Sequence, residues 1–409
     1  MLLQFTMKNV LSFRDETTLD MTAVDAYKEH PDNLMRTGTK ENCLRVAAVY
    51  GANAGGKSNL FLGIVFFKRL VAESLNNPDE ENRTALERYY APYSFEEERK
   101  DSEFQIVLIA GDYEYRYGFS YNAGRVTSEW LYRSKITTNR QAIVFERDGD
   151  ALSLGASVRK ACAAYIDQIP KETLALSFFN KLKLKTEVFH DLYEAIGGIY
   201  TVDPAAVDDT AFIDALLPVA IDREKEQLMT FLRAIDVGIL DISYERTEKK
   251  GEEIRFYTIH RGMEGRLFPL NLYDESAGTL KSIVLYIFVR MVMLQEGVMV
   301  VDELDVKLHP LLMKFFVDLF YEGDSKAQLI YTTHDTTLMD RRYFRRDQIW
   351  FVQKDTEGRS RLTALSDYRI RSDASFGKDY LAGVYGAIPE LGEYGNEEET
   401  YVEPANSAS

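Results

Sequence analysis

Residues Gly51–Ser58 read Gly-Ala-Asn-Ala-Gly-Gly-Lys-Ser, the pattern of a loop that binds phosphate groups. The apolar run Val46–Tyr50 precedes this loop, and apolar residues at helical spacing follow it over Asn59–Glu73. Glycines let backbone N–H groups surround a phosphate, and a helix N-terminus favours the same anion. Lys57 would reach the β- and γ-phosphates of a nucleotide, and the Ser58 hydroxyl would bind Mg²⁺. The candidate nucleotide-binding residues of the loop are Gly51, Asn53, Gly55, Gly56, Lys57, Ser58 and Asn59.

Two carboxylates follow a second apolar run. The run Val298–Val301 predicts a buried strand, and Asp302 and Glu303 come directly after it. Beside a phosphate loop, Asp302 would hold a water bound to Mg²⁺, so we assign it to the metal site. Glu303 would lie where an attacking water is expected, and we assign it as the general base of a hydrolysis reaction.

A third segment, Asp274–Lys281, comes just before a predicted helix. Small residues and free N–H groups at a helix start form an anion site. A chain that already binds a nucleotide at its phosphate loop needs such a site only if it serves the γ-phosphate bound to a partner copy. The alternative is a plain helix cap formed by the Ser276 side chain. The candidate residues of this segment are Ser276, Gly278 and Thr279.

The run Gln328–Asp335 predicts a strand that ends near His334. It follows the Asp302 strand by one helix, so both strands should end at the same edge of a parallel sheet. His334 could then hydrogen-bond the γ-phosphate and respond to its loss. Asp305 is placed to cross a dimer interface, whereas we assign His309 a structural role before the next helix. The catalytic candidates are Lys57, Glu303 and His334.

The remaining periodicity indicates how the chain is organised. Alternating residues up to Met21 predict an opening strand or hairpin, and three longer alternating runs predict an antiparallel meander over Phe104–Tyr132. Helical periodicity dominates residues 156–235. We therefore divide the chain into the first half of a nucleotide-binding domain at 1–155, a helical insertion at 156–235, the second half at 236–392 and a disordered acidic tail at 393–409.

Composition limits the class of protein. The 409 residues carry a net charge of −16, which is opposite in sign to that of a protein that coats nucleic acid, although the basic groups Lys181–Lys185 and Arg341–Arg346 leave local contact with nucleic acid open. The cysteines, Cys43 and Cys162, have no paired spacing, which argues against a zinc site or disulfides. The apolar run Ile283–Val289 is too short to span a membrane, so we expect a cytoplasmic protein without membrane contact.

In their order along the chain, these motifs resemble the nucleotide motifs of the ABC-type ATPases of the SMC and RecF group. The resemblance runs through the phosphate loop, Glu275–Thr279, Asp302–Glu303, Asp305 and His334, and the opening Asn9–Phe13 is similar to that group's first strand. Within the group, the chain is most similar to the ATPases of bacterial abortive-infection and phage-defence operons, including the PARIS and AbiL types. The segments that carry this closer resemblance are Asp302–Pro310, Thr332–Asp335, Arg346–Trp350 and Tyr380–Pro389.

The resemblance implies an α/β fold, namely a phosphate-loop ATPase head of ABC type with an antiparallel β subdomain and a helical insertion. It implies ATP and Mg²⁺ as ligands, and a homodimer or larger homo-oligomer with composite ATP sites. It also implies an ATP-dependent sensor or scaffold that controls an effector encoded nearby, a nuclease or a toxin, in anti-phage defence. Two features depart from the group. No glutamine can be placed to couple the γ-phosphate to the rest of the molecule, with Gln105 as a weak candidate, and the insertion is too short for a coiled-coil arm.

Two other functions stay open. A DNA repair or recombination ATPase of RecF or SMC type would suit the motifs, although the charge of −16 and the missing arm argue against it. A scaffold that keeps ATP as a structural ligand without cycling would have little use for a base at Glu303. A transporter subunit is disfavoured, because the signature segment and the strand pattern are unlike that branch.

Overall fold

The computed structural model describes residues 1–138, 140–203, 210–235, 238–246, 254–371 and 374–389. In chain order the strands are β1 (Leu2–Lys8), β2 (Thr17–Asp20), β3 (Leu34–Arg36), β4 (Asn42–Leu44), β5 (Val46–Gly51), β6 (Ser102–Ala110), β7 (Tyr113–Asn122), β8 (Arg125–Lys135), β9 (Arg140–Asp148), β10 (Ala151–Leu154), β11 (Ile199–Val202), β12 (Ile239–Arg246), β13 (Ile254–Arg261), β14 (Leu267–Asn271), β15 (Val298–Val301), β16 (Gln328–Thr333), β17 (Ile349–Lys354) and β18 (Ser360–Ala364). The α-helices are α1 (Lys57–Glu73), α2 (Ala85–Tyr89), α3 (Arg159–Cys162), α4 (Ala175–Lys181), α5 (Glu187–Gly197), α6 (Thr210–Ile235), α7 (Ala277–Leu294), α8 (Pro310–Leu319) and α9 (Phe376–Leu381).

A central sheet brings the predicted motif strands together. Within the described ranges its strand order is β11-β15-β16-β5-β17-β18, in which neighbours run parallel except for the antiparallel pair β17 and β18. Strands β5, β15 and β16 are buried along their whole length, which is why they read as continuous apolar runs. The register pairs Val301 with Tyr331 and Thr333 with Tyr50. The predicted placement of the motif strands at one sheet edge is therefore confirmed.

An antiparallel sheet covers one side of the central sheet. Its order in the described part of the chain is β10-β9-β8-β7-β6-β1-β2, which contains the predicted meander and opening hairpin. One core joins side chains of both sheets with those of α1. The ring of Phe67 on α1 lies 5.7 Å from that of Phe5, 5.9 Å from Phe104 and 5.8 Å from Phe119. These aromatic contacts fix α1, and with it the phosphate loop at its N-terminus. The predicted α/β fold class is confirmed.

Helices α6, α7 and α8 contribute to a second core on the opposite face of the central sheet. Helix α7 is long and apolar enough to cross a membrane, with a mean hydropathy of 1.7, but 56% of it is buried inside the protein. A helix in the core of a folded domain has the same length and composition, so a single helix of this kind is weak evidence for a membrane span.

Residues 156–235 are not purely helical, which corrects the sequence prediction. Helices α3 to α6 are present, but strand β11 lies between them and pairs in parallel with β15, Ile199 opposite Val298. An edge strand of four residues is too short to show a period, and pairing with β15 stabilises it. The domain boundaries themselves stay a prediction.

A three-stranded antiparallel sheet follows the helical insertion, in which β12 pairs with β13 and β13 pairs with β14. The predicted tail at 393–409 lies outside the described residues.

A buried ion pair holds residues 24–29 against the central sheet. The Arg345 side chain is 1% exposed and donates to the Asp347 carboxylate at 2.7 and 2.9 Å. It also donates to the carbonyls of Val24, Tyr27 and Glu29. Arg345 is therefore committed to the interior and does not belong to a basic surface that could contact nucleic acid.

Replacing Arg345 with methionine is expected to lower the free energy of unfolding by about 3–5 kcal/mol, because Asp347 would remain buried without its cation. Arg342→Met is the control, since the Arg342 side chain is 86% exposed beside Asp340 and its ion pair should contribute about 0–1 kcal/mol. Urea unfolding of both variants measures the difference. Equal losses in the two variants would contradict this account of the buried pair.

Candidate functional site

The loop Gly51–Ser58 leaves β5 and enters α1 at Lys57, as predicted. Gly56 has a φ of 118°, and a Cβ at this position would overlap the hydroxyl of Ser360. A Cβ on Gly51 would overlap the carbonyl oxygen of Val352 on β17. Both glycines are therefore required by the close approach of the loop to the β17–β18 hairpin. The resulting backbone cradle fits a phosphate group.

Two serines outside the loop support it from behind. Ser360 Oγ donates to the Gly55 carbonyl at 2.8 Å and lies 2.7 Å from Ser12 Oγ. Asn59, a predicted nucleotide-binding residue, donates from Nδ2 to Ser12 Oγ at 2.7 Å and so belongs to this support. Ser12 lies in the opening segment that carries the resemblance, whereas no sequence pattern indicates Ser360.

Lys57 and His334 are in direct contact. Lys57 Nζ lies 2.8 Å from His334 Nε2 and donates to the Gly51 carbonyl at 2.9 Å. Burial lowers the pKa of Lys57, and burial together with the neighbouring Lys57 ammonium lowers the pKa of His334. His334 is thereby favoured in its neutral form, which can accept a hydrogen bond from the lysine.

Thr332 fixes the two carboxylates at the end of β15. Its hydroxyl donates to Asp302 Oδ1 at 2.6 Å and accepts from the Glu303 backbone N–H at 2.7 Å. Glu303 has a φ of 49°, an uncommon conformation that surrounding contacts must hold in place. The chain therefore leaves the extended conformation of β15 at Glu303, the residue assigned as the base.

A cavity of about 440 Å³ combines most of the predicted phosphate-loop residues with Glu303 and His334. Asp302 contacts this site through Thr332, and Asp305 accepts a hydrogen bond from the His334 N–H at 3.3 Å. Lys354, at the end of β17, also lines the cavity and adds a cation that the sequence patterns did not indicate. The cavity is lined by Ala52, Asn53, Ala54, Gly56, Lys57, Ser58, Asn59, Glu303, His334 and Lys354.

The signature-like segment lies outside this cavity, at the start of α7. Ser276 is the N-cap of α7 and accepts from the Thr279 N–H at 3.1 Å, so the predicted helix cap is present. A Cβ on Gly278 would lie 3.1 Å from the Lys307 carbonyl oxygen, which shows that α7 begins against the loop after Glu303. The cap is compatible with both interpretations of the segment, because the N-terminus of a capped helix still favours an anion.

Glu275 anchors the same segment to the three-stranded sheet. Its side chain is 7% exposed, and its Oε1 atom accepts from the Thr258 hydroxyl at 2.5 Å and lies 2.7 Å from His260 Nε2. Two residues of β13 therefore hold the residue that directly precedes the N-cap of α7.

Two further residues have roles that the structure defines. His309 is the N-cap of α8 and accepts from the Leu311 N–H at 3.2 Å, which confirms its structural role. Gln105 accepts from Trp130 Nε1 at 3.1 Å within the antiparallel sheet, and it is not part of the cavity lining.

A family model matches residues 46–340, a range that includes the phosphate loop, the Ser276–Thr279 segment, the Asp302–Glu303 pair and His334. The family is described as "AAA domain, putative AbiEii toxin, Type IV TA system". The chain belongs to this AAA family. Its abortive-infection link agrees with the resemblance found in the sequence.

Solved SMC heads are similar to this AAA protein at low sequence identity. One is an SMC head bound to the C-terminal winged-helix domain of ScpA, with 14% identity, a TM-score of 0.43, and coverage of 89% of this chain and 97% of that one. The SMC head from Thermotoga maritima has 16% identity and a TM-score of 0.41, with coverage of 90% of this chain and 99% of that one. An SMC head with a coiled coil and joint from Pyrococcus yayanosii has 13% identity and a TM-score of 0.44, with coverage of 94% of this chain and 99% of that one. No curated protein matches the sequence.

The segment Tyr380–Pro389 of this AAA protein, the last of those that carry the sequence resemblance, packs against the central sheet. The rings of Tyr380 and Tyr385 stack on Phe351 of β17, with centroids 5.5 and 5.0 Å apart. The Tyr380 hydroxyl donates to the Ala387 carbonyl at 3.1 Å. This motif therefore supports the strand that lies behind the phosphate loop.

Proposed function

We propose that this protein hydrolyses ATP at sites completed by two head-to-tail copies, and that the ATP-bound dimer controls an effector protein in anti-phage defence. The observation that supports the shared site is the division of its parts. One cavity holds the phosphate loop, Glu303 and His334, while Ser276 lies outside it at the start of α7. A second copy can supply this helix start to the γ-phosphate.

The residues of one chain have distinct tasks in this mechanism. Lys57 exchanges its contact with His334 for the β- and γ-phosphates, and the loop N–H groups hold the β-phosphate. Glu303 accepts a proton from the attacking water, and His334 hydrogen-bonds the γ-phosphate. The Ser58 hydroxyl would bind Mg²⁺ and the Asp302 carboxylate would hold a water bound to it, and both side chains offer the oxygen atoms that this cation prefers. The bound cation would supply charge neutralisation on the phosphates.

The partner copy contributes the second half of each site. Ser276, Gly278 and Thr279 of that copy present a capped helix N-terminus to the γ-phosphate, and Asp305 lies at the interface between the copies. ATP binding then drives association, and hydrolysis releases or resets the pair. Because the interface is symmetric, two identical ATP sites form in each dimer.

The regulatory role is supported by the family's abortive-infection link and by a search of the described residues for the chemistry of an effector. Among the described residues no cluster of three or more His, Cys, Asp or Glu could hold a metal ion, so an effector nuclease centre is not found there. We therefore infer that a separate protein, a nuclease or toxin encoded nearby, carries out the response in the cytoplasm.

Affinity purification of tagged Glu303→Gln protein from its native host, with MgATP present, tests this role. The variant should remain bound to ATP and retain a nuclease-like or toxin-like protein encoded beside it. Lys57→Ala is the control, because it should bind ATP poorly and lose that partner. Equal recovery with both variants would contradict an ATP-dependent scaffold. Recovery of DNA with recombination proteins would favour the repair alternative instead.

A further inference from the structure

A buried lysine connects the signature segment to the loop that carries the candidate base. Lys281, on the second turn of α7, is 2% exposed. Its Nζ donates to the carbonyls of Leu304 at 3.0 Å and Glu303 at 3.4 Å, and also to that of Val306. Burial lowers the pKa of this ammonium to about 8. A charge held inside a protein at such a cost must be compensated by its contacts, and here these contacts lie on one functional loop.

A second contact joins the same two segments. The α-carbon of Gly278 is close enough to the Lys307 carbonyl that a Cβ would lie 3.1 Å from its oxygen. Glu303 and Lys307, at the two ends of this loop, have φ values of 49° and 59°. Non-glycine residues keep this conformation only where neighbours determine it, and α7 is one of those neighbours.

The far side of the loop is bonded to the rest of the ATP site. The Leu304 backbone N–H donates to the Thr332 carbonyl at 3.0 Å, and the Asp305 carboxylate accepts from the His334 backbone N–H at 3.3 Å. His334 in turn contacts Lys57 at 2.8 Å. A series of hydrogen bonds, joined by the backbone of the Glu303–Val306 loop and by His334, therefore connects Lys281 to Lys57 of the same chain.

We propose that Lys281 is a positioning residue that couples the two ATP sites of the dimer. This inference rests on the shared site proposed above, in which Ser276 serves the partner's ATP and Glu303 serves the chain's own ATP. Engagement of the partner's γ-phosphate moves or orders the start of α7. Lys281 transmits that change to the Glu303–Val306 backbone, so each site hydrolyses faster when the other is filled.

Dimers with one functional phosphate loop provide the test. Wild-type chains are mixed with a large excess of Lys57→Ala chains in the presence of MgATP, so that nearly all dimers that contain a wild-type chain are mixed. In these dimers the wild-type chain has no partner ATP for its Ser276 to engage. Turnover per intact site is expected to fall by about fivefold or more relative to the wild-type dimer, the usual size of coupling between sites.

Lys281→Met in both chains is expected to remove this difference, so that one-site and two-site dimers turn over equally per site. ATP affinity should stay within about twofold, since the phosphate loop is untouched. Lys281→Arg should restore part of the difference. Lys314→Met is the control, because Lys314 is a partly exposed lysine on α8 whose ion pair with Asp318 lies outside this loop.

Three outcomes distinguish the hypotheses. Equal rates per site in dimers that keep Lys281 would overturn the coupling, even if Lys281→Met does not fold. A difference that persists in folded Lys281→Met would show that Lys281 does not transmit it. Absence of turnover or of a dimer in the wild-type protein would instead refute the shared ATP site itself.

Discussion

Glu303→Gln is expected to lower kcat for ATP hydrolysis by about two to four orders of magnitude while leaving ATP affinity nearly unchanged. Glutamine keeps the shape and hydrogen-bonding length of the side chain but cannot accept the proton of the attacking water. The backbone contact of residue 303 with the Thr332 hydroxyl does not involve the side chain, so the site should stay assembled. Single-turnover hydrolysis and equilibrium binding of a fluorescent ATP analogue measure the two quantities.

Glu296→Gln is the matched control for this variant. Glu296 has the same φ of 49° as Glu303, but its side chain is 53% exposed beside Lys326 and lies outside the cavity lining. The Glu296→Gln variant should hydrolyse ATP at the wild-type rate. If Glu303→Gln kept wild-type turnover, the base would have to be another group, and the assignment of the cavity as a hydrolytic site would be wrong.

Lys57→Ala and Ser276→Arg should each abolish turnover for different reasons. Removing the Lys57 ammonium takes away the cation that binds the β- and γ-phosphates. An arginine at position 276 removes the N-cap and fills the helix start that the partner's γ-phosphate would approach. The two defects lie in different halves of a shared site, so they can be separated by mixing.

A one-to-one mixture of the two variants should restore turnover, to about a quarter of the wild-type rate for independent sites and to about a twentieth with the fivefold coupling between sites inferred above. Half of the dimers are mixed, and each mixed dimer has one site in which both halves are intact. Ser153→Arg, at an exposed position on β10, is the control for an added arginine and should be active alone. A mixture that stays inactive, although Ser276→Arg binds ATP and both variants are folded, would contradict a site shared between two copies.

The placement of the candidate site residues could be predicted because their types and spacing are those that phosphate chemistry requires. The phosphate loop, the Asp302–Glu303 pair and His334 follow apolar strands, and the parallel sheet brings those strand ends together. The meander and the opening strand or hairpin followed from periodicity, whereas the fold class was implied by the family resemblance. Strand β11 did not, because it is short and exists through its pairing with β15.

Residues that depend on tertiary contacts could not be predicted. Ser12 and Ser360 are separated by 348 residues in the sequence, yet their hydroxyls form a hydrogen bond beside the phosphate loop. No local sequence pattern at either serine indicates this contact. Lys354 faces the cavity because β17 runs parallel to β5. Lys281 looks like an ordinary helix lysine in the sequence, and its burial against backbone carbonyls is decided by the packing of α7.

The molar mass of Glu303→Gln in solution, measured by light scattering with and without MgATP, tests the central claim most directly. The chain has a mass of 46.9 kDa. We predict this value without nucleotide and twice this value with MgATP, because the variant binds ATP but cannot hydrolyse it. A double variant that carries both Glu303→Gln and Ser276→Arg should keep the mass of a single chain when MgATP is present. A mass of 46.9 kDa in both conditions, with ATP bound at the phosphate loop, would contradict a site shared between two copies.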